Sequence, residues 1–304
     1  MTTQYTVKVP ADVPKQKHQT YIENYKIITK QTDNLLLFAY DQKIEHLNDD
    51  FYGKSIHPDA ASPLHAFEIA QHEAAGAFAT HLGLIARYGS DYKNINYIVK
   101  LNGKTNLIHK DLLDPVNAPL YTVNDVVTFA INSGLHIRGV GITLYLGSIY
   151  EREMLGFAAQ QILHAHQHGL ITTLWVYPRG KSISNPTDPM IIAGAAGIAN
   201  SLGSDFVKLQ SPQAINDKTS SQWLKVAAQA AGNTKIICSG GAQKELELLL
   251  QDVHNHIHLG GIAGSAIGRN IFQHSQKKAL TTIHALARII YERKTVEQTL
   301  SLAQ

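Results

Sequence analysis

Residues 171–209 read ITTLWVYPRGKSISNPTDPMIIAGAAGIANSLGSDFVKL, which is a strand pattern, a helical pattern and a second strand pattern in succession. The apolar runs at 171–177 and 205–209 have the length of strands, whereas 189–202 places apolar residues at helical spacing. A strand, a helix and a strand in this order predict a βαβ unit, in which the two strands are parallel.

The same alternation continues along the chain in both directions. Apolar runs predict eight strands in all, at 34–40, 77–81, 96–101, 139–146, 171–177, 205–209, 235–239 and 258–263. Further helical patterns lie at 151–168, 222–231, 243–253 and 278–291. Eight strands favour a closed (β/α)8 TIM barrel over an open sheet. We therefore predict the α/β class, with an N-terminal extension at 1–30 and a barrel catalytic domain at 31–304.

Composition excludes several classes of protein. The 304 residues are 44% hydrophobic and 17% charged, which is enough apolar material for a full core. The net charge of +3 comes from scattered basic residues, so we expect no nucleic-acid surface. The single cysteine, Cys238, excludes an internal disulfide. We see no targeting segment and no transmembrane run, and we expect a soluble, cytoplasmic protein without membrane contact.

In a TIM barrel the catalytic groups lie where the strands end, so the polar residues at those ends are candidates. Lys208 follows Phe206 by two residues, which places both on one face, and a buried amine in its neutral form can attack a carbonyl. Tyr177 could relay a proton, and Asp41 could assist proton transfer or bind a hydroxyl group. Each has an ordinary alternative: a lysine reaching the rim, a packed tyrosine ring, and a turn aspartate.

Two glycine-rich turns follow the last two predicted strands, where barrels often bind phosphate. Backbone N–H groups can approach an anion there, and we expect a helix to begin at Ala242. The residues in question are Ser239, Gly240, Gly241, Gly268 and Arg269. Both turns could equally be ordinary tight turns. Lys100 could steer an anionic substrate or lower the pKa of another amine, and Arg179 could bind a carboxylate, a phosphate or a hydroxyl group. We interpret Glu45 and His46 as supports for the loop after Asp41.

Three histidines, His254, His256 and His258, alternate in HNHIH, which would place them on one side of an extended segment. That segment would enter the eighth strand at the barrel end opposite the catalytic groups, and no HExxH or CxxC motif accompanies it. We therefore expect no metal site and no cofactor.

Six segments together resemble the archaeal-type class I fructose-1,6-bisphosphate aldolases, which are Schiff-base aldolases. They are FAYDQKIEH with Asp41, YIVKLNG with Lys100, LWVYPRG with Trp175, Tyr177 and Arg179, DFVKLQ with Lys208, CSGG with Ser239 to Gly241, and GSAIGRNIFQ with Gly268 and Arg269. The resemblance covers roughly residues 30–290. The sequence departs from the family pattern at Lys43 and at Leu47-Asn48-Asp49-Asp50, where small or glycine-containing turns are usual.

The resemblance implies a metal-independent enzyme that cleaves fructose 1,6-bisphosphate to dihydroxyacetone phosphate and glyceraldehyde 3-phosphate. Lys208 would form the Schiff base, Tyr177 would move the C4-hydroxyl proton, and Asp41 would assist dehydration of the carbinolamine. The glycine turns with Arg269 would hold the phosphate, while Trp175 and Arg179 would shape the pocket. A homo-oligomer, often a decamer, is implied as well.

Two other functions stay open at this point. One is a different Schiff-base enzyme of the same group, such as a synthase that joins a sugar-derived fragment to an amino-acid semialdehyde, or a thiolase of signal-molecule catabolism. The other is a phosphosugar-binding barrel without activity.

Overall fold

A computed structural model describes residues 6–108 and 111–302, so the first five residues of the predicted extension lie outside the described residues. Eight parallel strands close into a barrel in the order β1-β10-β9-β8-β7-β6-β3-β2, while β4 and β5 form a separate antiparallel pair. The strands are β1 Leu35–Ala39, β2 Ala77–His81, β3 Tyr97–Lys100, β4 Asn102–Gly103, β5 Ala118–Pro119, β6 Ile137–Tyr145, β7 Ile171–Tyr177, β8 Phe206–Leu209, β9 Lys235–Ser239 and β10 Gly264–Ile267. The predicted TIM barrel is confirmed.

Helices surround the barrel and continue at its two ends. They are α1 His18–Ile28, α2 Gln42–Glu45, α3 Pro63–Ala70, α4 Leu82–Tyr88, α5 Val123–Ser133, α6 Glu151–Gln167, α7 Pro189–Ser201, α8 Ser220–Ala231, α9 Leu246–His258, α10 Arg269–Phe272, α11 Gln276–Tyr291 and α12 Val296–Ser301, with 3-10 turns at Lys15–Lys17, Pro58–Ala61 and Gly89–Asp91. The five predicted helices correspond to α6, α7, α8, α9 and α11.

The predicted eighth strand at 258–263 is wrong. Residues up to His258 belong to α9, and the strand that closes the barrel is β10, which begins at Gly264. The buried positions of α9, at Leu249, Leu250, Val253 and Ile257, continue a helical period through the histidines. The strand itself is Gly-Ser-Ala-Ile, which lacks the apolar run of a typical barrel strand. Its pairing with β1 and β9 makes it a strand.

Alternate residues of the strands fill the barrel interior. Leu35 and Leu37 of β1 lie there with Ile171, Phe206 and Ile237 from the far strands, and all of them are fully buried. The intervening side chains point outward and pack beneath the helices. Because side chains alternate along a strand, the residue two positions beyond each interior apolar residue faces the interior too, nearer the carboxyl end.

Helix α1 closes the amino-terminal end of the barrel. Tyr25 stacks on the interior Phe206 with ring centroids 5.6 Å apart. The Tyr21 hydroxyl donates a hydrogen bond to Asp205, whose second oxygen lies 3.1 Å from His166. The other ring nitrogen of His166 lies 2.8 Å from Asp12 in the segment before α1. Residues 12–28 are thus held to the barrel by aromatic packing and by a hydrogen-bond network that runs from the exposed Asp12 through the buried His166 and Asp205 to Tyr21.

Candidate active site

One cavity of about 190 Å³ opens at the carboxyl end of the barrel. It is lined by Asp41, Gln42, Glu45, His46, Tyr177, Arg179, Lys208, Gln210, Ser239, Gly240, Gly241, Ala266, Gly268 and Arg269. Nine of the eleven residues predicted for the site are in this set, since Lys100 and Trp175 alone are missing from it. The residues come from β7, β8, β9 and β10, from the turns that follow β1 and these strands, or from the short helices α2 and α10.

Lys208 lies in β8, two positions after the interior Phe206, and only 5% of it is exposed. Its Nζ atom is 5.4 Å from the centroid of the Trp175 ring, which belongs to the neighbouring strand. The side chain therefore lines the cavity from inside the barrel and does not extend along the rim into solvent. An amine in such a place can reach a carbonyl carbon that enters the cavity.

A second lysine lies beneath the cavity. The Nζ atom of Lys100 donates a hydrogen bond of 2.6 Å to Thr143, lies 3.9 Å from a carboxylate oxygen of Asp41, and is 3.9 Å from the Trp175 ring centroid. Burial lowers the pKa of Lys100 to about 8 against the opposing attraction of Asp41. For Asp41, burial alone would raise the pKa, but the charges of Lys208 and then Lys100 outweigh it, and the pKa is lowered. This carboxylate remains ionised between two lysines.

Trp175 occupies its place because Gly141 faces it from β6. A Cβ atom on Gly141 would lie 2.5 Å from the indole ring and 3.2 Å from the Lys100 side chain. The indole N–H of Trp175 is buried and has no hydrogen-bond partner among the described residues. The ring thus contacts both lysines and carries a free donor.

Tyr177 ends β7 beside two other side chains that bear on its ring. The Arg179 guanidinium lies 4.3 Å from the ring centroid, and the ring of Tyr145 stacks on it at 6.2 Å. Burial raises the pKa of Tyr177, while Lys208 and Arg179 act in the opposite direction. The phenol is therefore neutral at neutral pH and can donate a proton.

The two glycine turns approach each other through Asn270. Its amide donates to the carbonyl oxygens of Gly240 and Ala242 at 3.2 and 3.0 Å, and its carbonyl accepts the Lys244 N–H at 2.7 Å. Gly241 has φ of +70°, which favours glycine. The predicted helix start at Ala242 is wrong, because α9 begins at Leu246. The Asn270 side chain, and not a helix, supplies the hydrogen bonds to the backbone of this turn.

Arg269 begins α10 directly after Gly268, at the edge of the cavity. Its guanidinium lies 3.6 Å from Asp50, whose other carboxylate oxygen is 2.6 Å from His46. The unusual loop at 47–50 therefore contacts the cavity through Asp50. The other departure, Lys43, points elsewhere: its Nζ atom donates to the carbonyl of Ala61 at 3.1 Å and covers the Phe51 ring.

Several residues near the site were not predicted. His81 and Thr143 continue the interior face of β2 and β6, and the two-residue alternation from Ala79 could have revealed His81. Tyr145 follows Thr143 by two residues and continues the same face of β6, but it stands in an apolar run that resembles core. Asn270 lies in the short helix α10 and carries no such pattern.

The three histidines lie in helix α9 and not in the extended segment that the sequence suggested. His254 and His258 are one helical turn apart with ring centroids at 4.2 Å, while His256 faces Ser211. Within residues 6–108 and 111–302, no three His, Cys, Asp or Glu side chains are grouped as metal ligands would be.

Over the same residues, no helix has the length and apolar character needed to cross a membrane.

A buried amine, a phenol and a carboxylate face one cavity, and glycine turns follow the last two strands. This is the arrangement of a barrel enzyme that can form an imine with a carbonyl substrate. Residues 35–274 match the model of the DeoC/LacD family aldolases. The chain belongs to the DeoC/LacD aldolase family, and its resemblance to the archaeal class I fructose-1,6-bisphosphate aldolases is confirmed.

Individual relatives agree with this assignment. The chain is 48% identical, over 97% of its length and 94% of the relative, to the fructose-bisphosphate aldolase/6-deoxy-5-ketofructose 1-phosphate synthase of Methanocaldococcus jannaschii. It is 32% identical to the fructose-bisphosphate aldolase class 1 of Halobacterium salinarum over 88% of this chain and 94% of that one. Among solved structures, the fructose-bisphosphate aldolase from Slackia heliotrinireducens has a TM-score of 0.96 at 45% identity, covering 98% of this chain and 94% of that chain.

Proposed function

We propose that the protein is a class I aldolase that reversibly cleaves fructose 1,6-bisphosphate to dihydroxyacetone phosphate and glyceraldehyde 3-phosphate. The observation that carries this proposal is the buried Lys208 amine in the same cavity as the glycine turns after β9 and β10. A phosphate held by these turns would bring the neighbouring ketone to the amine. An archaeal aldolase with its catalytic lysine bound to the carbinolamine intermediate has a TM-score of 0.75 at 30% identity, over 88% of this chain and 98% of that one.

In the proposed mechanism, the Lys208 amine gives up a proton to solvent and adds to C2 of the ketose, and the carbinolamine loses water with help from Asp41. Tyr177 then relays the C4-hydroxyl proton as the C3–C4 bond breaks: its oxygen accepts this proton, while its own phenolic proton passes to solvent in the cavity. The electron pair of that bond moves into the iminium and gives an enamine, while the aldehyde leaves. Protonation at C3 and hydrolysis of the imine release dihydroxyacetone phosphate and return the amine. The protonated imine is the electron sink for the developing carbanion.

The remaining site residues would hold the substrate. We assign the C1 phosphate to the N–H groups of Ser239, Gly240, Gly241 and Gly268, with Arg269 supplying positive charge. Arg179, at the Tyr177 side of the cavity, would bind the far end of the substrate. Lys100 and Trp175 lie beneath the lining residues, so we assign them to shaping the floor of the cavity and keeping Asp41 ionised.

The first test is covalent trapping. The protein is incubated with dihydroxyacetone phosphate, reduced with borohydride and digested, and the adduct is located by mass. We expect the adduct on Lys208 and its loss in Lys208→Met. Lys235→Met is the matched control, because Lys235 begins β9 at the opposite end of the barrel and pairs with Asp33 at 3.3 Å. A folded protein without any adduct would refute the Schiff-base mechanism and favour a non-catalytic barrel.

The second test concerns the proton transfer. Tyr177→Phe should form the imine normally but fail to cleave fructose 1,6-bisphosphate, because no group remains to accept the C4 proton. Near-normal turnover in Tyr177→Phe would show that the assignment of this residue is wrong. Wild-type cleavage should persist in EDTA.

A second activity is favoured by the name of the Methanocaldococcus jannaschii relative. In 6-deoxy-5-ketofructose 1-phosphate, division between C3 and C4 gives dihydroxyacetone phosphate and methylglyoxal. The same Lys208 enamine could thus attack methylglyoxal in place of glyceraldehyde 3-phosphate. Incubating the protein with fructose 1,6-bisphosphate and methylglyoxal should yield this product together with glyceraldehyde 3-phosphate if the second activity is present. If it is absent, only dihydroxyacetone phosphate and glyceraldehyde 3-phosphate should form.

We further propose a cytoplasmic homo-oligomer, possessing the decameric form common in the family. The single cysteine suits a reducing compartment. Sedimentation equilibrium of the full chain tests the assembly, and a species with the mass of one subunit would refute it. Fractionation of the source cells tests the location.

A further inference from the structure

A second tyrosine, Tyr145, lies directly beside Tyr177. The two residues end the adjacent strands β6 and β7 and are partners in the strand register. Their rings are stacked, with centroids 6.2 Å apart and planes inclined by 29°. Tyr145 is only 1% exposed and is not among the residues that line the cavity. Any effect of Tyr145 on the reaction must therefore pass through a neighbour.

The hydroxyl of Tyr145 is anchored by Glu45, the last residue of α2. The phenol donates a short hydrogen bond to a carboxylate oxygen of Glu45. Burial raises the pKa of Tyr145 well above its usual value, and the Glu45 charge acts in the same direction, so the phenol stays a donor. The backbone of Glu45 is itself fixed, because its carbonyl accepts the N–H of Asn106 at 3.0 Å.

These contacts restrict the ring of Tyr177. A phenol moves its hydroxyl by rotation about two side-chain torsions, and a packed aromatic neighbour limits both. Tyr145 supplies that neighbour, and its own ring is held at the far end by Glu45. The Arg179 guanidinium contacts the same Tyr177 ring at 4.3 Å but ends at the cavity, where substrate could draw it away. Tyr145 is the partner that substrate does not displace.

We propose that Tyr145 and Glu45 are positioning residues that hold the Tyr177 hydroxyl in line with the proton it transfers. This inference rests on the proposed role of Tyr177. It explains why Tyr145, outside the cavity lining, is hydrogen-bonded to Glu45, which belongs to that lining: the hydrogen bond fixes Tyr145 in rotation, and the stacked ring transmits that order to Tyr177. Proton transfer is sensitive to such order, since misplacement by about 1 Å can cost about 100-fold in rate.

The experiment is a double-mutant cycle on the cleavage of fructose 1,6-bisphosphate. Tyr145→Phe keeps the ring and loses the anchor, and we expect kcat to fall about 10-fold with KM within about twofold. Glu45→Ala should cause a similar fall, and Glu45→Gln, which keeps an acceptor oxygen, should restore most of the rate. The double variant Tyr145→Phe/Glu45→Ala should be no slower than either single variant, because both remove one interaction.

A second readout separates positioning from damage to the fold. Imine formation with dihydroxyacetone phosphate depends on Lys208, so borohydride trapping should stay within about twofold of wild type in Tyr145→Phe. Tyr97→Phe is the matched control, because Tyr97 lies in β3 and is not among the residues that line the cavity. The substitution removes a tyrosine hydroxyl that donates a hydrogen bond of 3.0 Å to the carbonyl of Tyr92. We expect that variant to keep normal kcat.

The outcomes are distinct. Normal kcat in Tyr145→Phe, additive losses in the double variant, or an equal loss of imine trapping would each overturn the positioning role. High turnover in Tyr177→Phe would instead refute the proposed function itself. A dead Tyr177→Phe together with a normal Tyr145→Phe would leave the proposed function intact and remove only this inference.

Discussion

Replacing Gly141 by alanine tests how tightly the floor of the site is built. Gly141 lies in β6, in register with Lys100 of β3 and Thr173 of β7. A Cβ atom would lie 2.5 and 2.8 Å from two indole carbons of Trp175 and 3.2 Å from Lys100 Cδ. Carbon atoms normally approach no closer than about 3.5 Å, so the ring must move by about 1 Å. Gly141 does not have a positive φ, so the backbone itself tolerates alanine.

Two opposing effects set the change in stability. Overpacking a core costs about 1–3 kcal/mol, whereas Gly→Ala lowers the entropy of the unfolded chain and returns about 0.4–1 kcal/mol. Because Trp175 is 1% exposed and surrounded by the interior core, it has little room to retreat. We expect a net loss of about 1–2 kcal/mol, seen as a Tm lowered by about 2–3 °C in thermal unfolding.

The effect on activity should be larger than the effect on stability. The Trp175 ring lies 3.9 Å from the Lys100 amine and 5.4 Å from the Lys208 amine, so its displacement moves the surroundings of both. Misplacement by about 1 Å can cost about 100-fold in rate, and we expect a loss of this order in kcat/KM for fructose 1,6-bisphosphate. The rate of borohydride trapping should fall too, since Lys208 is the group disturbed.

Gly156→Ala is the matched control. Gly156 lies within α6, and a Cβ atom there would have no atom within 4 Å outside the helix's own backbone. Alanine in a helix interior is preferred to glycine by about 0.5–1 kcal/mol, so this variant should be slightly more stable and fully active. Wild-type kcat/KM in Gly141→Ala, with unchanged Tm, would show that the Trp175 ring has freedom that the packing denies, and would refute the reasoning.

Three further variants address other parts of the molecule. His166→Gln should flatten the pH dependence of the free energy of unfolding, which urea unfolding at pH 6 and pH 9.5 would measure. Burial alone would lower the pKa of His166, but Asp205 and Asp12 raise it from 6.5 to about 9. The wild-type histidine therefore contributes about 3 kcal/mol of stability, which is complete below pH 6.5 and is lost as the pH rises through about 9. Asn270→Ala removes the amide that joins the two glycine turns, and should raise KM for fructose 1,6-bisphosphate about 10-fold with a smaller change in kcat. Lys100→Met removes one of the cations that hold the pKa of Asp41 down, so the acidic limb of the kcat/KM profile should move to higher pH; an unmoved limb would contradict the pairing.

The barrel could be predicted because most of its strands are short apolar runs bounded by turns. β10 was not predicted because its residues are mostly small. The segment Gly-Ser-Ala-Ile becomes a strand because it pairs with β1 on one side and β9 on the other. The helices α3, α4 and α5 were not predicted either; the last of these begins with a capping box at Thr122 and Asp125, a local pattern that an explicit search for caps would have found.

The candidate site was predictable where a polar residue interrupts or ends an apolar strand. Lys208, Tyr177 and Asp41 share that property, and all three line the cavity. Tyr145 does not, since the run GITLYL continues past it and the ring resembles core. The packing of Lys100 beneath the cavity could not be predicted from the sequence either, because it depends on the absence of a side chain at Gly141 in the neighbouring strand.

The four residues of strand β8 contact both the closed end of the barrel and the cavity at its other end. Phe206 and Lys208 face the interior because they are two positions apart, and their neighbours Val207 and Leu209 pack outward. Phe206 stacks on Tyr25 of α1, which closes the barrel below, while Lys208 faces the cavity above. The stacked rings of Phe206 and Tyr25 close the barrel beneath Lys208, so a carbonyl substrate approaches the amine from the cavity. One strand therefore connects α1 at the lower end of the barrel with the amine that faces the cavity, although 183 residues of sequence separate Tyr25 from Lys208.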